Sequence, residues 1–189
     1  MIYFRNLLYN IVKYVSKSGV SMNINTTYTK IITGEDLMET AQHGSTLYPF
    51  QFYYEDLSVF DFNCIEWHWH TELEFIYIES GTVTLWIGED QFHLTEGNGV
   101  FINTKVLHRL YSPSKALIPN FVFMPSFIAP CDSLIYQKYI LPIISSSLPF
   151  LVFHKKVCWQ AKVLSIMRQI ISAQDSVLSK ELLTSSLLQ

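Results

Sequence analysis

EWHWHTELEF, residues 66–75, sets two histidines two positions apart, interleaves them with two tryptophans and follows them with Glu72 and Glu74. On a strand, residues two apart share a face. His68 and His70 therefore project together, and Trp67 and Trp69 project the other way. Glu74 lies on the next stretch, where a tight turn brings it alongside, and His108 joins from a further strand. Three imidazoles and one carboxylate suit Fe, Mn, Ni, Zn or Cu, with positions left open for substrate. The same side chains also serve as hydrogen-bonding walls of a pocket. A histidine pair on a strand is ordinarily polar surface, so the weight rests on all four residues at these spacings. The outward tryptophans each bury about 150–250 Å² when covered, so they are expected to pack under a helix or a second subunit.

Around this stretch the chain reads as strands. Val83, Leu85 and Ile87 alternate with Thr82, Thr84 and Trp86, and Phe92 and Leu94 alternate with Gln91, His93 and Thr95. Val100, Phe101 and Ile102 form a short buried run. Turn signals stand at Glu79-Ser80-Gly81, Gly88-Glu89-Asp90 and Glu96-Gly97-Asn98-Gly99. Short strands at such spacing predict a mainly β fold, a sandwich or barrel. Residues 23–55 read as loop or edge-strand material.

After Pro130 the pattern becomes helical. Asp132 is placed to cap a helix running through Tyr139 and ending near Pro142. Trp159, Val163, Leu164, Met167, Ile170 and Ile171 form an apolar helical stripe, and a further helix begins near Ser179 with its pattern still running at Gln189. The expected organisation is an extension over 1–21, a barrel over 22–130 and a truncated helical region over 131–189. The extension reads as a basic amphipathic helix or as a dispensable leader, with Met22 as an alternative start to Met1.

Hydrophobic residues make up 49% of the 189-residue chain and charged residues 15%, which describes a globular chain and excludes a disordered one. A net charge of −3 gives no general attraction for nucleic acid. Three scattered cysteines, Cys64, Cys131 and Cys158, fit a reducing, cytoplasmic setting and read as buried apolar fillers. No apolar run reaches membrane-spanning length, so no membrane partner is expected. His43, His93 and His154 read as structural or surface residues.

HWHTELEFIYIESG and GNGVFINTKVLHRLYS together resemble the two motifs of the cupin superfamily, a double-sheet jelly roll. The ligand positions His68, His70, Glu74 and His108 match. Asn103, Lys105 and Ser112 replace residues of the family's second motif, and Phe62 replaces the first motif's leading glycine. From about Ile32 the chain resembles more closely the sensor domain of AraC-type transcriptional regulators, through HGSTLYPFQFYYEDL, FVFMPSFI and KYILPII. That resemblance implies a cupin-like β-barrel followed by C-terminal α-helices, binding a small effector such as a sugar. It implies a homodimer paired through Trp159, Val163, Leu164, Met167, Ile170 and Ile171. DNA would be read only by a helix-turn-helix domain that this chain does not carry. His68, His70, Glu74 and His108 would line the effector pocket, with Tyr77 and Trp86 stacking on the ligand. No catalytic residue and no cofactor are expected, and a divalent transition metal on the same four residues is the alternative. The competing reading is a free-standing metal-dependent cupin enzyme, a dioxygenase or isomerase.

Overall fold

Strand β3 (Leu73–Tyr77) shows how the layers arise. Its even residues, Glu74 and Ile76, enter the space between two sheets, while Leu73, Phe75 and Tyr77 pack on the opposite side. The structure, a computed structural model, describes residues 28–173 and 184–187. Two antiparallel sheets face each other. The first has five strands in the order β1 (Phe50–Asp56), β8 (Leu117–Phe123), β3, β6 (Gly99–Ile102) and β9 (Phe150–Phe153). The second has four, in the order β2 (Cys64–His68), β7 (His108–Tyr111), β4 (Thr82–Ile87) and β5 (Asp90–Thr95). This is the cupin fold, as the resemblance implies.

Two cores flank the five-stranded sheet. Between the sheets lie aliphatic residues, among them Ile65, Ile76, Val83, Leu85, Leu94, Ile102, Leu110 and Ile118. Outside that sheet lies an aromatic layer of Phe50, Phe75, Phe101, Phe121, Phe123 and Phe153. The helix α2 (Cys158–Ser172) closes over this layer with Leu164, Met167 and Ile170. Gly99 permits that closeness: a Cβ there would stand 2.9 Å from Leu164 Cδ2 and 3.0 Å from the Ile76 carbonyl oxygen.

Several expectations are corrected. Strand β9 lies beyond residue 130 yet pairs with β6 from Gly99↔Phe153 to Ile102↔Phe150, so the sheets extend past the expected barrel boundary. Ser133, not Asp132, accepts the Tyr136 backbone N–H at 3.1 Å and caps the intervening helix. That helix continues through Pro142 as α1 (Leu141–Ile144), preceded by a π-helical turn (Tyr136–Ile140). The turn is closed by the Leu141 N–H donating to the Tyr136 carbonyl, and Pro142 follows as a residue with no N–H to satisfy. Leu164, Met167, Ile170 and Ile171 are buried within the chain, so this part of the expected pairing surface is already covered. Val163 packs against the same core, and Trp159 alone of the stripe stays exposed, at 53%. Cys64 is buried as expected, whereas Cys131 and Cys158 are exposed.

The extension over 1–21 lies outside the described residues. So does most of the last expected helix, although 184–187 are helical and Leu187 packs on the aromatic layer. Among the described residues no helix is long and apolar enough to cross a membrane.

Candidate functional site

A β-bulge builds the site. Ile65 pairs with Leu110 and His68 pairs with His108, so β2 carries one residue more than β7 between these pairs. The bulge lets Ile65 and His68 both face inward although their positions differ in parity. The His68 Nδ1–H donates to the Glu66 carbonyl at 2.8 Å, and the His108 Nδ1–H donates to the Val106 carbonyl at 2.8 Å. Each bond fixes a tautomer and turns Nε2 toward the interior.

Glu74 Oε2 from β3 lies 3.1 Å from His108 Nε2 and 3.3 Å from His70 Nε2. All four side chains are buried. Burial pushes His68 down to about 3, reinforced by the neighbouring His108. Burial works against ionising Glu74, yet the His108 and His70 imidazoles beside it hold it well below the usual carboxylate range. Burial likewise opposes a charge on His70, but the Glu74 carboxylate beside it wins and raises it.

The residues fit a divalent cation. One ligand atom each from His68, His70 and His108 lies within 4.8 Å of the others. With Nδ1–H committed, a neutral His108 would aim an Nε2 lone pair at a carboxylate oxygen, and this buried Nε2 has no well-directed hydrogen bond. That contact requires a positive charge between the two groups, supplied by a proton or by a metal ion. A bound ion would supply Lewis acidity at this point.

A second group of polar residues lines the same cavity and was not expected from the sequence. Tyr28 donates to Glu55 Oε1 at 2.6 Å, and Asn120 Nδ2 donates to Glu55 Oε2 at 2.8 Å. Burial lifts Glu55 to about 7 despite both hydrogen bonds. His43 lies 5.6 Å from His70 by ring centroids, with Nδ1 2.9 Å from the Tyr53 hydroxyl and Nε2 3.3 Å from Glu39. His43 is therefore part of the cavity wall, while His93 and His154 are exposed. The sequence held one usable signal: FQFYYED alternates, with Phe50 and Phe52 on the aromatic side and Tyr53 and Glu55 on the inner side. The cavity measures about 30 Å³, room for about two waters.

Tyr77 and Trp86 do not join this site. Tyr77 packs in the aromatic layer. Trp86 is on the outer face of the four-stranded sheet, where the Arg109 guanidinium sits 5.0 Å from its ring and also bonds Glu66 at 2.9 Å. The parity that turns Glu74 inward turns Tyr77 outward, and Trp86 alternates with the inward Leu85 and Ile87. Trp69 is absent from the cavity wall, and within the chain it meets the 36–38 segment, not a helix. Its Nε1–H donates to the Asp36 carbonyl at 2.9 Å, beneath the segment that pairs Met38 with Trp69.

Residues 64–118 match the family model for the cupin domain. A curated relative, the uncharacterized HTH-type transcriptional regulator YdeC of Bacillus subtilis, is 24% identical over 143 residues. That match covers 74% of this chain and 48% of the relative, so the chain spans about half the length of the protein it matches. Among solved structures, a cupin-2 domain protein from Shewanella frigidimarina aligns with a TM-score of 0.35 and 20% identity, over 43% of this chain and 81% of its own. Bacillus subtilis oxalate decarboxylase aligns with a TM-score of 0.30 and 21% identity, over 32% and 18% respectively. The matched segment runs from β2 to the start of β8 and contains His68, His70, Glu74 and His108. The chain carries a cupin domain.

Proposed function

We propose that this chain is the ligand-sensing part of an AraC-type transcriptional regulator, taking a small polar effector into the space between its sheets. The observation that carries the reading is the likeness to a helix-turn-helix regulator over most of this chain and half of that protein. The cavity chemistry agrees with it. Imidazoles, carboxylates, Tyr53 and Asn120 offer donors and acceptors suited to a hydroxylated ligand such as a sugar. A cavity of about 30 Å³ admits no sugar as the side chains stand. Tyr28 and Ile31 line it, so effector entry displaces the segment carrying them. That movement is the differential contact through which binding changes conformation. In the cell the protein acts in the cytoplasm as a homodimer, and DNA is read by a separate helix-turn-helix domain.

A thermal-shift screen of sugars, polyols and related metabolites tests this. At about 100 times Kd a genuine effector adds about 2.7 kcal/mol, or a rise of about 5–10 °C. The rise should vanish in Asn120→Leu. A flat response across the panel removes the sensor reading.

One observation favours a second reading, a metal-dependent enzyme: the convergence of His68, His70 and His108 beside Glu74. Metal analysis of the purified protein decides its standing. Stoichiometric metal, lost in His68→Ala/His70→Ala, together with dioxygenase or isomerase turnover, would rank the enzyme first.

A further inference from the structure

A second cavity of about 460 Å³ lies apart from the histidines, between the loop before β7, the end of β8 and the π-helical turn. Its volume falls in the range of small-molecule sites. Its chemistry is opposite to that of the barrel cavity. The space between the sheets is walled by Glu39, Glu55 and Glu74. The walls of the second cavity include no carboxylate among the described residues. They carry one cation, Lys105, and the hydroxyls of Thr104, Ser126 and Ser145. Met124 and Ile144 add apolar surface, and Tyr136 adds a ring.

Two features of Lys105 bear on what this cavity takes. Its φ of 61° lies in the left-handed region, where a glycine sits without steric cost and a lysine does not. Its backbone N–H donates to the His70 carbonyl at 2.7 Å, which fixes the loop in that conformation. Among the described residues, no carboxylate forms an ion pair with its side chain. An exposed cationic side chain thus stands at a strained position, without a carboxylate partner, on the wall of a cavity whose lining carries no carboxylate, the nearby Glu72 being engaged by Thr71 at 3.2 Å. Strained backbone of this kind is an indicator of function.

We propose that this cavity binds a small organic anion, a carboxylate or phosphate on an apolar body. Lys105 supplies the charge and the nearby hydroxyls supply hydrogen bonds. Met124, Ile144 and Tyr136 cover the body. The site is separate from the effector cavity and stands whether or not the sensor reading does.

Isothermal titration of the whole chain with phenyl phosphate, benzoate and neutral benzyl alcohol tests it. At least one anion should bind, and benzyl alcohol should bind far more weakly. Lys105→Met should weaken the anion about tenfold or more, the loss expected for a charge-assisted contact. Lys105→Gly removes the same charge while relieving the backbone, so it carries the test should Lys105→Met fold poorly. Glu74→Gln, in the barrel cavity, should leave anion binding intact. Anion affinity unchanged in both Lys105 variants, equal binding of benzyl alcohol, absence of binding by either anion, or loss in Glu74→Gln would each overturn the proposal.

Discussion

At the scale of single residues, Glu55 is the group whose chemistry departs most from what its position in the sequence announces. It is a carboxyl on an edge strand, yet it is 4% exposed and lifted to about 7. Between its unfolded value of about 4.5 and about 7, the folded chain holds a proton there that the unfolded chain has released. Stability from this group is therefore complete below about pH 4.5 and is lost as pH rises through about 7. Glu55→Gln keeps an acceptor for Tyr28 and removes the titration. Denaturation from pH 4 to 8 should show the variant gaining on the wild type as pH rises, by up to about 3 kcal/mol. A difference that stays constant across that range would show that Glu55 keeps an ordinary value. His68, His70, Glu74 and His108 were legible because they stand at set spacings within two short motifs, HWHTELEFIYIESG and GNGVFINTKVLHRLYS. Glu55, Tyr53, Asn120 and His43 were not, because they gain a role only once β1 lies beside β8 and the 28–43 segment covers the cavity.

At the scale of elements, one helix and one strand explain why the apolar stripe misled. Trp159, Val163, Leu164, Met167, Ile170 and Ile171 were correctly legible as one helical face, but amphipathicity does not say what the face meets. The partner is the outer side of the five-stranded sheet, whose alternating phenylalanines already required a cover. Phe121 and Phe123 on β8, and Phe75 on β3, stack with interplanar angles of 8–17°. The helix reaches them because Gly99 leaves space beneath Leu164 and Met167. Gly99→Ala puts a methyl group against the Ile76 carbonyl, which cannot move freely, and should cost about 1–3 kcal/mol. Met167→Ala, fully buried on the same helix, should cost about 2–5 kcal/mol. Urea denaturation measures both. If the helix instead met a second subunit, these costs would depend on protein concentration, and here they should not.

At the scale of the whole molecule, the histidine cluster joins the two sheets. His68 and His108 come from β2 and β7 of the four-stranded sheet, while Glu74 comes from β3 of the five-stranded one. The aliphatic core between the sheets is non-directional and holds them face to face without fixing their relative slide. The cluster adds a polar contact between them, which brings a carboxylate oxygen to 3.1 Å from an imidazole nitrogen whose other nitrogen already donates. A divalent ion seated there would replace an ill-directed contact with bonds to both sheets, and binding only to the folded form raises its stability. Titrating metal-stripped protein with Co(II) to about 100 times Kd should raise the melting temperature by about 5–10 °C. His108→Ala removes one of the three clustered imidazoles and Glu74→Gln removes the carboxylate from the five-stranded sheet, so each should abolish the rise. Trp86→Ala should retain it, because that residue lies on the outer face against Arg109. A rise that survives His108→Ala would place the ion elsewhere and leave the sheets held by the apolar core alone.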